Sequence, residues 1–368
     1  MDLQRRIEAV AKAAAQFPWL GDLSPAAIAQ WIELELGDLL KSPELHRYGA
    51  KHCSVRPLTP ILHVVSGNTP HAALQSLVRA LLVGAENWIK LPSAGLEQVE
   101  EFVRALPEYM HPELERELRS GWLETAEAVV VFGSDETIAE FSRKILPSQR
   151  FIAHGHKISF GLLRGNCDQD LAEKIARDIF AFDQLGCLSP QFLYLAGDSI
   201  AFARELAQHF ARRPFEKVSL SATRAAAPTL RGFREEWKFR AATEPGVYLW
   251  ESRESLAWTV VHDPVTLPSK NPLHGTIFVK PMPADLESAL RPFRHNISTI
   301  GLHPLDRESV NLAINLGAQR ICELGQMQNP PTSWHQDGQP TLANLVRYID
   351  VEGFQPAAQH WPLGLSLR

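Results

Sequence analysis

From about residue 58 the chain alternates short apolar runs, each closed by a turn and followed by sequence of helical period. That alternation leaves little besides a parallel β-sheet flanked by helices. The first unit is Ile61-Leu-His-Val-Val65, the turn Ser66-Gly-Asn-Thr-Pro70, and a helix to about Val83. A strand at 88–91, a helix at about 96–106, a strand at 128–132, the turn Gly133-Ser134-Asp135, a helix to about Ile145 and a strand at 151–153 complete a β-α-β-α-β-α-β series. Such a sheet takes its ligand at the carboxyl ends of the strands, where helix N-termini offer free N–H groups to phosphate.

A second α/β half begins near residue 156. It holds a helix at about 168–182, an irregular segment at 183–190, apolar runs at 192–195 and 275–279, and a helix opened by Asp198. A strand-helix-strand unit follows at 297–301, 307–316 and 320–323, with Gly317 as the helix C-cap. Residues 1–50 read as auxiliary helices, one of them started by Ser24-Pro25 and running through Leu40. After Pro330 a helix is expected at 341–348. The expected organisation is therefore 1–155, N-terminal helices plus a dinucleotide-binding domain; 156–335, a domain carrying a reactive cysteine; and 336–368, a tail packing across domains or subunits.

Composition narrows the classes. With 368 residues, 45% apolar and 21% charged, the chain is long enough for two or three packed domains. Its 37 basic against 42 acidic residues, net −5, and the lack of any Lys/Arg run beyond Arg212-Arg213 argue against a nucleic-acid stripe. No apolar stretch suits a membrane helix, and the first residues carry no signal-peptide core, so a cytoplasmic protein with no membrane partner is expected. Four scattered cysteines, Cys53, Cys167, Cys187 and Cys322, form neither a zinc pattern nor a disulfide framework.

Neither G-x-G-x-x-G after a strand nor G-x-x-x-x-G-K-[ST] occurs. Gly133-Ser134, after a buried strand and opening a helix, is the best pyrophosphate candidate, though a plain turn with a serine N-cap has the same sequence. Cys187 stands apart from an inert core cysteine because Gln184, Gly186, Ser189 and Gln191 surround it; Ser189-Pro190 can start a helical turn whose dipole favours thiolate. Cys322 falls in an apolar strand, and Cys53 and Cys167 in apparently exposed connections. His154-Gly-His156 lacks a third ligand at telling spacing, so no metal is expected. His335 with Asp337 is either an acid/base pair or part of an Asp-Gly turn. Asn68 is either a turn former or an oxyanion donor.

In order, the segments SGNTP, IKLPS, VFGSDET, HGHKISFG and DQLGCLSPQ resemble the LuxC-type acyl-CoA reductases, a branch of the aldehyde dehydrogenase superfamily, over roughly residues 57–350. The resemblance implies an aldehyde-dehydrogenase-like α/β fold of two doubly wound α/β domains with an N-terminal helical segment. It implies that Cys187 is the nucleophile and Asn68 the oxyanion donor, that Lys90 contacts the adenosine ribose, and that Gly133 and Ser134 lie beneath the pyrophosphate. Ser93 falls where NAD-preferring relatives place a glutamate, so NADPH is the expected cofactor, with NADH as the alternative. Ala153 falls where oxidising aldehyde dehydrogenases carry their glutamate base, at close to the family's spacing from Cys187. Gly275-Thr-Ile-Phe-Val279 lacks the glutamate that many relatives have before Ile-Phe.

The implied activity is NAD(P)H-dependent reduction of an acyl thioester to an aldehyde through an acyl-cysteine, with His154 or His156 supplying the proton. The implied partners are an acyl thioester, from coenzyme A or an acyl carrier protein, an acyl-transferring partner enzyme, and further copies of the chain in a homo-oligomer. The competing readings are a hydrolytic aldehyde dehydrogenase and a catalytically silent subunit of a reductase complex.

Overall fold

A computed structural model describes residues 2–41, 44–66, 69–213, 220–253 and 255–353. Two N-terminal helices, α1 (Leu3–Ala14) and α2 (Pro25–Glu35), open on side-chain caps: Asp2 accepts from Arg5 N at 2.9 Å and Ser24 from Ala27 N at 3.3 Å. Their apolar stripes, including Val10, Ile28 and Trp31, join Leu74 and Leu77 in one core. The helical expectation for residues 1–50 stops short of its end, because β1 (His46–Tyr48) and β2 (Lys51–Pro57) form an antiparallel hairpin turned at Gly49, whose φ is 62°. Cys53 lies within β2 and is buried, not in an exposed connection.

The strand-helix alternation that follows builds a five-stranded parallel sheet. In chain order its elements are β3 (Ile61–Val64), α3 (Pro70–Val83), β4 (Asn87–Lys90), α4 (Glu97–Ala105), β5 (Glu113–Glu115), α5 (Trp122–Thr125), β6 (Ala128–Phe132), α6 (Asp135–Ser142) and β7 (Arg150–His154). The spatial order β5-β4-β3-β6-β7 reverses direction between β3 and β6, which opens a crevice beyond the carboxyl ends of those two strands. Every residue of β3 and β6 is buried, as expected for strands covered on both faces.

The second sheet has seven strands. Its elements are β8 (Ile158–Arg164), α7 (Gln169–Phe180), β9 (Pro190–Ala196), α8 (Ser199–Arg212), α9 (Leu220–Thr243), β10 (Tyr248–Glu251), β11 (Thr259–His262), β12 (Thr276–Pro281), α10 (Leu286–Leu290), β13 (Ile297–His303), α11 (Arg307–Leu316) and β14 (Arg320–Glu323). The order is β10-β11-β12-β9-β8-β13-β14, parallel except for the edge strand β10. Asp198 caps α8 by accepting from Ala201 N at 2.9 Å, and Gly317, with φ 93°, ends α11 in the left-handed region. Cys167 packs into this core and is buried, again against the exposed connection expected from sequence.

The tail differs from expectation. Leu342, Leu345 and Val346 have helical spacing, yet a single 3₁₀ turn, Ala343–Leu345, satisfies it and β15 (Val346–Val351) then pairs antiparallel with β2. Glu35 at the end of α2 holds this turn, its carboxylate accepting from the N–H groups of Thr341, Leu342 and Ala343. Those bonds outweigh the burial of Glu35 and hold its carboxyl below the ordinary range.

In the second layer Lys280 of β12 is fully buried and donates to Asp263 at 2.6 Å, to Val265 O and to Ser269 Oγ, pinning the segment after β11. Removing one partner of a buried ion pair strands the other charge, so Lys280→Met is expected to destabilise the fold by about 3–5 kcal/mol. The urea unfolding midpoint measures this; a shift worth less than about 1 kcal/mol would show that the pair is dispensable.

Candidate active site

The two sheets face each other across a cleft of about 1170 Å³, lined on one side by the carboxyl ends of β3, β6 and β7 and on the other by the segment before β9. Cys187 lies on that second wall, between α7 and β9. Phe182, Asp183 and Gln184 all adopt positive φ, at 53°, 54° and 62°. Such a run persists only where its surroundings over-determine it, and buried Gln184 supplies the constraint. Its amide donates to Pro190 O at 2.7 Å and Thr276 O at 2.8 Å, and its oxygen accepts from Thr276 N at 3.1 Å. Ser159 Oγ donates to the Cys187 carbonyl at 2.7 Å, and Gln328 Nε2 donates to Ser189 Oγ at 3.2 Å.

The polar surround that marks Cys187 in the sequence therefore clamps its loop from behind. The helical turn expected at Ser189-Pro190 does not form, because Pro190 begins strand β9. Desolvation by the cleft walls, with the Asp337 carboxylate nearby, pushes the Cys187 thiol up to about 11; its own backbone N–H and Lys157 pull the other way. Burial also raises Cys167, to about 12, and Cys322, to about 11. What separates Cys187 from the other three is access: crowded by the cleft walls, it still opens to solvent, whereas Cys53 and Cys167 are buried and Cys322 is half-buried.

Across the cleft, Gly133 and Ser134 close β6 and line the crevice with Ser66 and Phe132. Ser134 caps α6 by accepting from Thr137 N at 3.3 Å. A Cβ on Gly133 would fall 2.9 Å from Thr137 Cβ and Cγ2, so only glycine lets strand and helix approach this closely. A Cβ on Gly155 would likewise fall 2.7 Å from Asp135 Oδ1. Lys90 ends β4 in register with Val64 of β3, and Ser93 is exposed just beyond it; both stand at the carboxyl edge of the sheet rather than on the cleft wall. Asn68 lies outside the described residues.

His154 and His156 both line the cleft, and the structure tells them apart. His156 is exposed, its backbone N–H bonded to Asp135 Oδ1 at 2.9 Å. His154 stacks on Phe132 at 4.4 Å between ring centroids, and its Nδ1 lies 2.5 Å from Asp337 Oδ2. Lys157 Nζ approaches the other oxygen of Asp337 at 3.6 Å. Of the two readings left open for Asp337, the Asp-Gly turn is the one present: His335 is exposed, and Asp337 reaches His154, far back along the chain. The sequence signal was the Asp-Gly dipeptide itself, since Asp337 takes φ 54° and Gly338 φ 73°.

The cleft thus sets an accessible cysteine on one wall against a glycine-tight strand-helix turn on the other, between two largely parallel sheets. The family model for acyl-CoA reductase (LuxC) matches residues 22–348. The chain belongs to the LuxC family. Among characterised relatives it is 24% identical over 359 residues to a long-chain acyl-protein thioester reductase of Aliivibrio fischeri, covering 91% of this chain and 73% of that one. To the long-chain acyl-protein thioester reductase 2 of Photobacterium leiognathi it is 25% identical over 355 residues, covering 89% and 71%.

Solved structures place this LuxC-family chain in the aldehyde dehydrogenase fold. Proline utilization A of Bradyrhizobium japonicum superposes with TM-score 0.69 at 15% identity, over 95% of this chain and 43% of that one. An NAD-dependent benzaldehyde dehydrogenase of Corynebacterium glutamicum superposes with TM-score 0.64 at 14% identity, over 96% and 86%. The family makes it an oxidoreductase. Among the described residues no helix is long and apolar enough to cross a membrane.

Proposed function

We propose that the chain reduces an acyl thioester, carried by coenzyme A or an acyl carrier protein, to the aldehyde through an acyl-Cys187 intermediate, with NADPH as reductant. The observation that carries this reading is the placement of one exposed cysteine in a cleft shared with Gly133 and Ser134. Trp19, Leu20, Leu185, Leu188 and Trp334 in the same lining suit the acyl group. The sheet of residues 61–154 then serves the cofactor, and residues 156–335, with Trp19 and Leu20, the thioester.

Cys187 attacks the thioester carbonyl, its position held by Gln184 and Ser159. The Cys187 N–H and the Asn68 amide are assigned to the developing oxyanion, Asn68 on family resemblance. Gly133 and Ser134 would hold the pyrophosphate, and Lys90 and Ser93, two strands along the sheet edge from β6, the adenosine ribose. When bound, the reduced nicotinamide supplies the hydride. The thiohemiacetal that remains collapses to release the aldehyde and the Cys187 thiolate.

Two measurements test the assignments. Aldehyde formation from a panel of acyl thioesters with NADPH tests the reaction, and absence of aldehyde with every thioester would refute it. Ser93→Glu tests the cofactor, since a carboxylate beside a 2′-phosphate repels it. The variant is expected to raise KM for NADPH at least tenfold more than KM for NADH; equal effects, or a native preference for NADH, would return Ser93 to an ordinary loop position.

A further inference from the structure

Asp337 enters the cleft region from the far end of the chain, on a left-handed turn next to a glycine, and its carboxylate is almost wholly enclosed. Both of its oxygens are taken by groups of the His154–Lys157 segment, Oδ2 by His154 Nδ1 and Oδ1 by Lys157 Nζ. Neighbouring Gln336 is buried and accepts from Arg79 Nη1 of α3 at 2.5 Å, which secures the turn. Burial alone would raise the Asp337 carboxyl, yet His154 and Lys157 hold it below the ordinary range, so it is a carboxylate when it meets the ring.

A nitrogen 2.5 Å from a carboxylate carries the proton. In neutral His154 that proton is on Nδ1, which leaves Nε2 as the lone-pair nitrogen. The ring cannot swing freely, because Phe132 lies flat against it, with 14° between planes. Of the other two histidines in the lining, His156 has no carboxylate on its ring among the described contacts, and His71 has its Nε2 on Trp19 O at 3.1 Å.

Resting on the thioester-reductase reading, we propose that Asp337 is a positioning residue that makes His154 the proton carrier of the acylation step. The Cys187 Sγ–H bond breaks, its proton goes to His154 Nε2, and the sulfur pair forms the Sγ–C bond while the carbonyl π pair moves to oxygen. The oxygen pair then re-forms the carbonyl, the bond to the leaving sulfur breaks, and that sulfur takes the proton back from Nε2–H. His154 ends neutral, and no other reactant is needed. The need for a base is plain from Cys187, whose thiol is held up at about 11 and is protonated at neutral pH. The same carboxylate that holds His154 contributes to that elevation. Asp337 thereby suppresses the idle thiolate and equips the group that generates it when substrate is present.

The double role sets the test. Asp337→Asn keeps the shape, and Asn tolerates the left-handed turn. In the full chain, acylation of Cys187 by an acyl-coenzyme A is followed by mass spectrometry and by thiol release in single turnover, and the free thiol by its iodoacetamide rate against pH. Asp337→Asn is expected to slow acylation 10²-fold or more while moving the alkylation profile to lower pH, a pairing that mere loosening of the cleft does not give. His154→Gln is expected to slow acylation equally, and the double variant to be no slower than either single. Asp337→Glu is expected to recover part of the rate. An unchanged acylation rate in Asp337→Asn, an alkylation profile that does not move, or single effects that multiply in the double variant would each overturn the assignment. Failure of the wild-type chain to acylate Cys187 at all would instead overturn the thioester-reductase reading.

Discussion

Replacing Cys187 by alanine is expected to abolish aldehyde formation, with a loss on the order of 10⁶, the scale seen when an enzyme loses its covalent nucleophile. The fold should survive. The contacts that hold the loop are made by the Cys187 carbonyl with Ser159 and by Gln184, Ser189 and Gln328, none of which involves the sulfur. An exposed side chain trimmed to alanine typically changes stability by no more than about 0.5 kcal/mol. Cofactor binding, measured by nucleotide fluorescence, should be retained, because Gly133 and Ser134 lie on the opposite wall. Cys322→Ala is the control: it sits in β14, outside the cleft lining, and should keep turnover within a few-fold. Substantial turnover in Cys187→Ala, or an equal loss in a folded Cys322→Ala, would remove Cys187 from the chemistry.

How much of this was legible before the structure depends on the range of the interaction. The β3–α6 region was readable because its strands are uninterrupted apolar runs, as in Ala128–Phe132, and outside it helix boundaries were readable where they are chemical, as at Ser24, Asp198 and Gly317. Local periodicity failed where pairing is distant. β2 and β15 are strands because each completes the other, and nothing in either segment states that partnership. β8 was hidden inside the HGHKISFG segment, where motif residues drew attention from an apolar run. Cys187 was singled out in the sequence by its polar neighbours, and their physical role differs from the one expected. Those neighbours neither solvate the thiol nor cap a helix; they nail down a strained loop from behind. His154 and His156 are equivalent on the sequence, and the Asp337 carboxylate, the Phe132 ring and the partial burial of His154 separate them.

The remaining prediction concerns what the acyl-cysteine does when hydride is withheld. Position 153, which the family resemblance matches to the glutamate base of oxidising relatives, is Ala153, exposed near the end of β7 in register with Val131. A general base typically contributes about 10²–10⁴-fold to its step, and water attack here lacks that group. His154 is the nearest substitute in sequence, yet a histidine choosing between nucleophiles favours a thiol. Free thiols ionise near pH 8.5 and water only near 15.7, so the proton comes off sulfur far more readily. Run in reverse with an aldehyde and NADP⁺, the enzyme is expected to form acyl-coenzyme A when coenzyme A is present. Without it, carboxylic acid should appear roughly 10²–10⁴ times more slowly. Product analysis by chromatography, with and without coenzyme A, measures the ratio directly, and His154→Gln should lower any residual acid formation further. Rapid acid formation that ignores coenzyme A would replace the reductase by a hydrolytic dehydrogenase and move the water-activating base to a residue other than 153.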